Sequence, residues 1–444
     1  MKKALTIAGS DSGGGAGILA DIKTFSAFGV HGMAAITSIT AQNTLEVRAI
    51  NDLPASMVRK QIEAVAEDIG IDAAKTGMLS NERIIKEVAK VVKNYDFPLV
   101  VDPVMISKSG ALLLRTNAID SLIEYIIPIA KLITPNKMEA EKISGIKIKN
   151  MEDVIKACKK IEDLGAEYIL IKGGHLKERK AIDILYHNGK IKKYAKPWQK
   201  GCTHGTGCSF SAAITANLAK GKKIQDAIKI AKEFITIGIK YGIKVGKGHC
   251  PVNQNAYIQI PAEKWNVYSN LKKAVDELIS YPFFYKLIPE VGTNFVYSLP
   301  KQYVNGIENI AGIEGRIVKG KKAILKGEIK FGASYHLARA LIKAMEYDEN
   351  IRAAINIKYD EKILKHAKNK FIISFYDRKE EPYKIKMKEG ATIPWGIENA
   401  IIKAGKMPDI IYHKGDIGKE PMILIFGYNP EDVLKKLRKF MKYI

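Results

Sequence analysis

The sequence contains little cysteine and no long apolar run. Four cysteines occur among 444 residues, namely Cys158, Cys202, Cys208 and Cys250. They have neither the density of a disulfide scaffold nor the Cys-x-x-Cys spacing of a metal site, so we expect reduced thiols. No segment is long and apolar enough to span a bilayer, and the apolar start ends at Asp11, too early for a secretory signal. These absences predict a cytoplasmic protein without a membrane partner.

Acidic residues are also scarce relative to basic ones. The chain carries 71 Lys and Arg against 47 Asp and Glu, a formal net charge of +24. Such a balance is compatible with nucleic-acid binding, but no helix-turn-helix, zinc-finger or aromatic-basic motif accompanies it. The lysines are spread along the whole chain, which favours a solvated surface of the kind found in heat-adapted proteins. We expect no nucleic-acid partner, and a positive field that favours phosphorylated substrates.

The length predicts two or three domains, because 444 residues exceed one ordinary core. Strand-like runs lie at 4–8, 34–39, 73–75, 99–101, 131–134 and 168–171. Helical patterns lie around 17–28, 56–69, 81–94, 117–127, 151–164, 206–219 and 224–241. This alternation predicts an α/β fold, with a parallel sheet covered by helices on both faces.

A glycine-studded passage over 242–248 and the polar Asn253-Gln-Asn255 end this first unit. A new helical pattern begins near Ala262. We therefore predict one domain over 1–257 and a separate, smaller α/β domain over 263–444.

The stretch Cys202-Thr-His-Gly-Thr-Gly-Cys208 runs straight into a helix of small residues. Gly205 and Gly207 allow the backbone to approach a phosphate closely. The N–H groups of Thr206, Gly207 and Cys208 are expected to be free to bind its oxygens. The stretch therefore predicts an anion hole and phosphoryl transfer.

Several separated motifs accompany the anion hole in order along the chain. They are the strand, glycine loop and helix of 4–25, Ala41-Gln-Asn-Thr44, Val101-Asp-Pro-Val104, Pro135-Asn-Lys-Met-Glu139, Ile171-Lys-Gly-Gly-His175 and Gly248-His-Cys-Pro-Val-Asn253. Together they resemble the hydroxymethylpyrimidine and hydroxymethylpyrimidine phosphate kinases of thiamine synthesis, in the ribokinase-like superfamily. One departure is Cys250, which stands where that family is expected to have glycine.

The resemblance implies ATP and Mg²⁺ as cofactors, and it implies roles for matching residues. Those of the pyrimidine pocket are Gly9, Asp21 and Gln42, whose carboxylate and amide can read an aminopyrimidine edge. Those that hold ATP phosphates are Gly205, Thr206, Gly207, Asn136 and Glu139. Asp102, with Glu139, is expected to hold the metal at the carboxyl edge of the sheet. Lys172 is expected to contact the transferring phosphate.

Cys208 stands where many sugar kinases of this superfamily carry an aspartate base. A helix N-terminus favours a thiolate, so one hypothesis makes Cys208 the general base. A second hypothesis is that the uncharged thiol permits two successive transfers. The second acceptor is a phosphate dianion, which an aspartate would repel.

The second unit carries glycine and aromatic landmarks that resemble the non-barrel thiamine-phosphate synthase domain often fused to such kinases. Joining a pyrimidine diphosphate to a thiazole phosphate requires stabilisation of departing pyrophosphate. Arg316 and His336 are the first candidates, because a guanidinium fork suits phosphate and a histidine can donate to the leaving oxygen. A second set, matched to family-like motifs, is Asn294, Asp377, Arg378, His413 and Lys414.

The resemblance implies a bifunctional enzyme with small-molecule pyrimidine and thiazole phosphate substrates, and similar kinases are often homodimers. Two other functions remain open. The second unit could sense thiamine phosphates without catalysis, or the first could be a pyridoxal-type kinase. Cys208 and the Gln42-Asn-Thr44 motif argue against pyridoxal.

Overall fold

The computed structural model describes residues 1–107, 109–115, 118–173, 180–416 and 418–441. Gly174 and His175 of the predicted Ile171–His175 motif lie outside the described residues. The chain divides into two compact units, Met1–Ile258 and Gln259–Ile444.

The first unit is built on an eight-stranded sheet of order β10-β9-β8-β7-β6-β5-β1-β2, with β3 and β4 forming a separate two-stranded sheet. The strands are β1 (Lys3–Ala8), β2 (His31–Ile36), β3 (Ser38–Gln42), β4 (Val47–Asp52), β5 (Ala73–Thr76), β6 (Leu99–Val101), β7 (Leu132–Ile133), β8 (Tyr168–Ile171), β9 (Lys180–His187) and β10 (Lys190–Pro197). The pairings from β2 across to β8 are parallel, and β9 and β10 continue the sheet in antiparallel fashion. The predicted parallel sheet is confirmed.

Helices cover both faces of this sheet. They are α1 (Gly17–Ala27), α2 (Ala55–Asp68), α3 (Glu82–Val92), α4 (Ala118–Ser121), α5 (Lys137–Ser144), α6 (Met151–Asp163), α7 (Thr206–Ala219) and α8 (Ile224–Lys240). Successive residues of a strand point to opposite faces. Leu5 of β1 therefore packs into the core under α2, α3 and α6, while Ala4 packs into the core that contains Phe210 of α7 and Phe234 of α8.

Several local features of the first unit differ from prediction. The helix expected around 117–127 is an α-helix only over Ala118–Ser121 and continues as a π-helical turn over Leu122–Ile126. The single strand expected over 34–39 is divided at Thr37, whose amide makes the last bond of the β1–β2 pairing, to the Ala8 carbonyl at 3.0 Å. The chain then leaves the main sheet, and Ser38 pairs with Asp52 in the β3–β4 hairpin. Helix α5 was not predicted, although Asn136 and Glu139 form a capping box at its start.

The second unit is a seven-stranded, mostly antiparallel sheet of order β15-β12-β11-β16-β19-β18-β17, with β13 and β14 as a separate pair. Its strands are β11 (Phe295–Ser298), β12 (Ile310–Ile313), β13 (Ile317–Lys319), β14 (Ala323–Leu325), β15 (Ile329–Phe331), β16 (Ala353–Lys358), β17 (Ile373–Phe375), β18 (Ile410–His413) and β19 (Met422–Gly427). Its helices are α10 (Tyr335–Tyr347), α11 (Glu361–Ala367), α12 (Tyr383–Lys386), α13 (Thr392–Ala404) and α14 (Pro430–Met441). Leu341 of α10 and Ile397 of α13 share a core with Phe426 of β19.

Helix α9 (Ala256–Ser280) begins ahead of the start predicted near Ala262 and contains Pro261. Its first turn is held by Tyr257, whose ring lies 5.2 Å from that of Phe28 and 5.4 Å from that of Phe234. None of the helices in the described ranges combines the length and the apolar character needed to cross a membrane.

Candidate functional site

A cavity of about 490 Å³ opens at the carboxyl ends of the parallel strands. In open α/β sheets this edge is where ligands bind. All residues that the sequence predicted for the kinase site line this one cavity. They are Gly9, Asp21, Gln42, Asp102, Asn136, Glu139, Lys172, Gly205, Thr206, Gly207 and Cys208.

The anion hole is the start of helix α7. Gly205 is its N-cap with φ of 76°, a left-handed conformation that favours glycine, and no side chain caps the helix. The Thr206 amide donates to the Thr203 carbonyl at 3.3 Å, so the expectation that it is free is wrong. The amides of Gly207 and Cys208 remain in the first turn, where helix geometry gives them no intrahelical acceptor.

Lys172, which is partly buried, forms an ion pair with the buried Asp102 beside this first turn, with Lys172 Nζ 2.7 Å from Asp102 Oδ1. The Ser211 hydroxyl donates to the other oxygen, Asp102 Oδ2, at 3.3 Å. A Cβ on Gly207 would lie 3.4 Å from Lys172 Nζ and 3.6 Å from Asp102 Oδ2, so the pair faces the anion hole directly. Burial raises the pKa of Asp102, but Lys172 and Lys75 outweigh burial and the net pKa lies below its usual value.

Asn136 and Glu139 are engaged with each other. The Asn136 backbone amide donates to Glu139 Oε2 at 2.7 Å, and the Glu139 backbone amide donates to the side-chain oxygen Asn136 Oδ1 at 3.0 Å. The Asn136 Oδ1 atom therefore caps α5, and the expected role of Asn136 as a phosphate contact stays a prediction. Burial raises the pKa of Glu139 to about 7, although Lys172 lowers it in part.

Asp102 and Glu139 are the two carboxylates predicted to hold Mg²⁺ in this cavity. Among the described residues no cluster of three or more His, Cys, Asp or Glu side chains could form a full protein cage. Mg²⁺ usually keeps several waters and binds one or two carboxylates together with substrate phosphates. Asp102 and Glu139, next to the anion hole, fit an ion held in that way.

Asp21 does not present a free carboxylate to the cavity, contrary to the predicted reading of an aminopyrimidine edge. The Thr6 hydroxyl donates to Asp21 Oδ2 at 2.7 Å, and Lys75 Nζ lies 2.9 Å from Asp21 Oδ1. Both charged side chains are fully buried. Burial lowers the pKa of Lys75, but Asp21, Cys208 and Asp102 together raise it above its usual value, so Lys75 stays protonated.

Lys75 is a cavity residue that the sequence did not reveal. It lies in β5, and all four residues of this strand are buried. A lysine is almost never fully buried without a charge partner, so a lysine in a short buried strand was the signal that the sequence offered.

Cys208 lies in an environment that disfavours the thiolate. Burial raises the pKa of its thiol to about 11, although Lys75 lowers it in part. The Gly17 amide donates to the sulfur, yet this contact and the helix N-terminus do not overcome burial. The expected low pKa is wrong, and the Cys208 thiol is neutral at neutral pH.

A second pair missed by the sequence joins the two glycine-rich loops. Asp11 Oδ2 lies 2.9 Å from His204 Nε2, and the same carboxylate accepts from the Gly13 and Ala16 amides, each at 2.8 Å. A Cβ on Gly205 would overlap the Gly15 carbonyl oxygen. The loop after β1 and the loop before α7 therefore support each other. An aspartate that precedes a glycine run is a recognisable turn signal.

Two of the four cysteines are not reduced thiols, contrary to expectation. Cys202 and Cys250 form a disulfide, and the free cysteines are Cys158 and Cys208. Their separation of 48 residues gave no pairing signal, since neither belongs to a motif of closely spaced cysteines.

In the second unit, cations surround His336 in the first turn of α10. Burial lowers the pKa of His336, and four neighbouring cations lower it further. In order of effect they are Arg316, Arg339, Lys419 and Arg378. None of the four forms an ion pair within the described ranges, and Arg316 donates to the Val291 carbonyl. We call these five residues the cationic cluster.

His413 lies near this cluster because it ends β18, and Arg378 follows β17, the parallel neighbour of β18. Burial lowers the pKa of His413 to about 4, and Arg378 lowers it further. His413 is therefore neutral at neutral pH, and its Nδ1 accepts from the Gly415 amide at 3.2 Å.

The other predicted residues of the second set serve the fold or face solvent. The Asn294 side chain donates to the Ile313 carbonyl at 2.6 Å and accepts from the Ile313 amide at 3.0 Å, so it extends the pairing of β11 with β12. Asp377 accepts from the Lys379 amide and caps a short 3₁₀ turn. Lys414 is exposed. The Asn294 side chain therefore supports the β11–β12 pairing, and its role in binding substrate stays a prediction.

Two family models match the chain. Residues 11–253 match the phosphomethylpyrimidine kinase family, and residues 270–439 match the family of thiamine-phosphate synthase ThiN. The bifunctional thiamine biosynthesis protein ThiDN of Methanocaldococcus jannaschii is 38% identical over 442 residues, which covers 99% of this chain and 98% of that protein. The hydroxymethylpyrimidine/phosphomethylpyrimidine kinase of Bacillus subtilis is 47% identical over 258 residues, 57% of this chain and 95% of that protein.

A solved structure is also similar to the first unit. The pyridoxal kinase of Staphylococcus aureus, in complex with AMP-PCP and pyridoxal, is 39% identical with a TM-score of 0.54. The similarity covers 58% of this chain and 94% of the kinase. The expected ribokinase-like fold is confirmed, and the nucleotide complexes of such relatives imply that this chain binds ATP. The chain belongs to the family of bifunctional thiamine biosynthesis proteins, in which a phosphomethylpyrimidine kinase domain precedes a ThiN-type thiamine-phosphate synthase domain.

Proposed function

We propose that the cavity of the first unit uses ATP and Mg²⁺ to phosphorylate hydroxymethylpyrimidine and then its monophosphate. We further propose that the cationic cluster of the second unit joins the resulting diphosphate to thiazole phosphate, with release of pyrophosphate. The observation that carries the kinase site is the Lys172–Asp102 pair, which lies against Gly207 in the open first turn of α7.

In the kinase reaction the protein mainly positions two reactants and neutralises charge on the transferring phosphoryl group. The amides of Gly207 and Cys208 bind its oxygens, and Lys172 supplies a positive charge beside them. Asp102 holds Lys172 in place and, with Glu139, is the carboxylate available to Mg²⁺. The bound ion neutralises developing phosphate charge.

The neutral Cys208 thiol favours the second of the two hypotheses for that residue. A phosphoryl transfer with a loose transition state asks little of a base, so a strong base is not required. An uncharged group leaves room for the phosphate dianion of the second acceptor. Lys75 pairs with Asp21 in a buried ion pair, so the negative charge of Asp21 is balanced before that dianion binds.

In the synthase reaction the aminopyrimidine stabilises the positive carbon from which pyrophosphate leaves, and the ring nitrogen of the thiazole attacks it. The protein must bind two anions and stabilise the leaving one. The guanidinium groups of Arg316 and Arg378 suit phosphate oxygens, and His336 can donate to the departing oxygen.

The test is product identity. The purified full chain is incubated with ATP, Mg²⁺, hydroxymethylpyrimidine and thiazole phosphate, and each phosphorylated species is followed by mass-resolved chromatography. Release of thiamine phosphate supports both sites. Accumulation of the pyrimidine diphosphate alone would overturn the synthase site and favour a second unit that only senses thiamine phosphates.

Pyridoxal is a second candidate substrate, because similar solved structures are those of pyridoxal kinases. Side-by-side turnover of pyridoxal and hydroxymethylpyrimidine decides between them, and a higher kcat/KM for pyridoxal would contradict the proposal. The expected homodimer and the cytoplasmic location stay predictions, and the mass of the protein in solution tests the dimer.

A further inference from the structure

The disulfide Cys202–Cys250 joins two segments that meet at the kinase site. Cys202 begins the loop that leads to Gly205, the N-cap of α7. Cys250 belongs to the segment 248–253, which follows α8 and contacts His204, a residue that lines the cavity. The bond closes a connection of 48 residues between them.

Beyond the disulfide, short backbone contacts hold the two segments together. The His204 amide donates to the Cys250 carbonyl at 3.1 Å, and the Val252 amide donates to the His204 carbonyl at 3.1 Å. A Cβ on Gly242 would lie 2.8 Å from Cys202 Sγ, so the chain after α8 packs directly on the disulfide. The segment 250–252 therefore packs along the loop that carries the anion hole.

The first two residues of the segment 248–253 contact the β3–β4 hairpin, which carries Gln42. The His249 amide donates to the Thr44 carbonyl at 2.7 Å, and the Gly248 amide donates to the Thr44 hydroxyl at 3.2 Å. Residues 243–249 are exposed, so little apolar burial holds this stretch. A covalent link at Cys250 is the strongest restraint on it.

We propose that the Cys202–Cys250 disulfide positions the anion-hole loop for ATP, acting through His204 and Gly205. Cys202 and Cys250 are positioning residues and do not touch the reacting atoms. The bond forms by thiol–disulfide exchange with a low-molecular-weight disulfide. The two protein thiols are oxidised and lose their protons, and the small disulfide is reduced to two thiols. Without the bond, the loop keeps its backbone contacts but samples more positions, and the affinity for ATP falls.

The experiment uses the full chain, and the kinase kcat at saturating ATP together with the KM for hydroxymethylpyrimidine reports whether the first unit remains folded. The double variant Cys202→Ala/Cys250→Ala is compared with the matched variant Cys158→Ala, which removes a buried free thiol. We expect the double variant to raise the KM for ATP about tenfold with a smaller change in kcat, since small displacements of a positioning group are costly. Cys158→Ala and the condensation of supplied pyrimidine diphosphate keep wild-type constants.

Reduction of the wild-type protein gives a second route that needs no substitution. Treatment with dithiothreitol is expected to raise the KM for ATP as the double variant does, and to leave the double variant unchanged. Cells are lysed directly into a denaturant that contains an alkylating reagent, so that every free thiol reacts, and the remaining disulfides are then reduced and their thiols counted. We expect Cys202 and Cys250 to be protected while Cys158 and Cys208 are alkylated.

Two results would overturn the inference: alkylation of all four cysteines in cells, or an unchanged KM for ATP in the reduced wild-type protein. The inference rests on the proposed kinase site, and turnover of the oxidised wild-type protein is therefore measured first. An oxidised protein without kinase turnover counts against the proposed function. An active protein indifferent to reduction counts against the disulfide alone.

Discussion

The two proposed sites handle positive charge differently. In the first unit, the buried Lys75 and the partly buried Lys172 each pair with an aspartate inside one cavity. In the second unit, the cations around His336 form no ion pair within the described ranges, and Arg316 and His336 are exposed. In the kinase site, aspartates of the protein balance the charge of the lysines. In the synthase site, the anionic substrates balance the charge of the cations.

This difference follows from the substrates. The first kinase acceptor is a neutral alcohol, and MgATP brings its own counter-ion, so isolated buried cations would be costly. The synthase binds a diphosphate and a monophosphate, and unpaired cations at a surface attract both. The predictions below test that contrast.

The largest effect is expected for Lys172→Ala. Removal of the cation beside the transferring phosphate also leaves Asp102 without its partner, so kinase kcat should fall about a thousandfold. Coupled assays with supplied pyrimidine diphosphate should give an unchanged synthase rate, and the exposed Lys193→Ala serves as the matched control. A kinase loss of less than about tenfold would remove Lys172 from the site.

Lys75→Met should destabilise the first unit by about 3 kcal/mol, because it leaves the buried charge of Asp21 without a partner. The double variant Lys75→Met/Asp21→Asn should recover part of this loss. Hydrogen exchange of the β1 and β5 amides, followed by mass spectrometry, measures the change in the free energy of unfolding. Equal losses in the single and double variants would show that the ion pair does not set the stability.

Arg316→Ala should lower the kcat/KM of the condensation about a hundredfold, because a guanidinium is lost from an anion site. Arg316→Lys should retain part of the activity, and both variants should keep wild-type kinase rates.

The contrast between the sites also predicts that added salt slows the condensation more than the kinase reaction. Salt sensitivity that is equal in both reactions would contradict it.

Cys208→Asp should slow the second phosphorylation about tenfold more than the first, because the new carboxylate repels the phosphate dianion. Cys208→Ala should retain both steps. The two rates are measured separately with hydroxymethylpyrimidine and with its monophosphate. Equal losses in both steps would contradict repulsion of the dianion as the cause. Inactivity of Cys208→Ala would support Cys208 as the general base.

The smallest effect concerns Glu139, whose pKa is raised to about 7 by burial. A bound cation stabilises the carboxylate and lowers its pKa, so MgATP binding near pH 7 should release about half a proton from this residue. Calorimetry in buffers of different ionisation enthalpy measures the release. Glu139→Gln, which keeps the capping box, should abolish it, and a release that persists in this variant would assign the proton elsewhere.

Local patterns predicted the parallel sheet and most of its helices, because apolar periodicity and glycine turns act over a few residues. Helix α5 was missed because Asn136 and Glu139 were interpreted as ligands, although the same two residues form a capping box. The residue type was informative in both interpretations, and one sequence does not separate them.

Charge partners were less predictable, because they depend on long-range contacts. Asp11 and His204 are 193 residues apart, and Asp21 and Lys75 are 54 apart. The same holds for the Cys202–Cys250 disulfide. Asp21 was correctly located at the cavity, but its partner was invisible, so its carboxylate was expected to be free.

Complementation in trans tests the account most directly. Lys172→Ala and Arg316→Ala are each incubated with hydroxymethylpyrimidine, thiazole phosphate, ATP and Mg²⁺, alone and as a mixture. Two separate sites predict that neither variant alone makes thiamine phosphate at an appreciable rate, and that the mixture does, since Arg316→Ala supplies the pyrimidine diphosphate and Lys172→Ala condenses it. A mixture as inactive as its components, while the wild-type protein forms product, would contradict the assignment of the two reactions to these two sites.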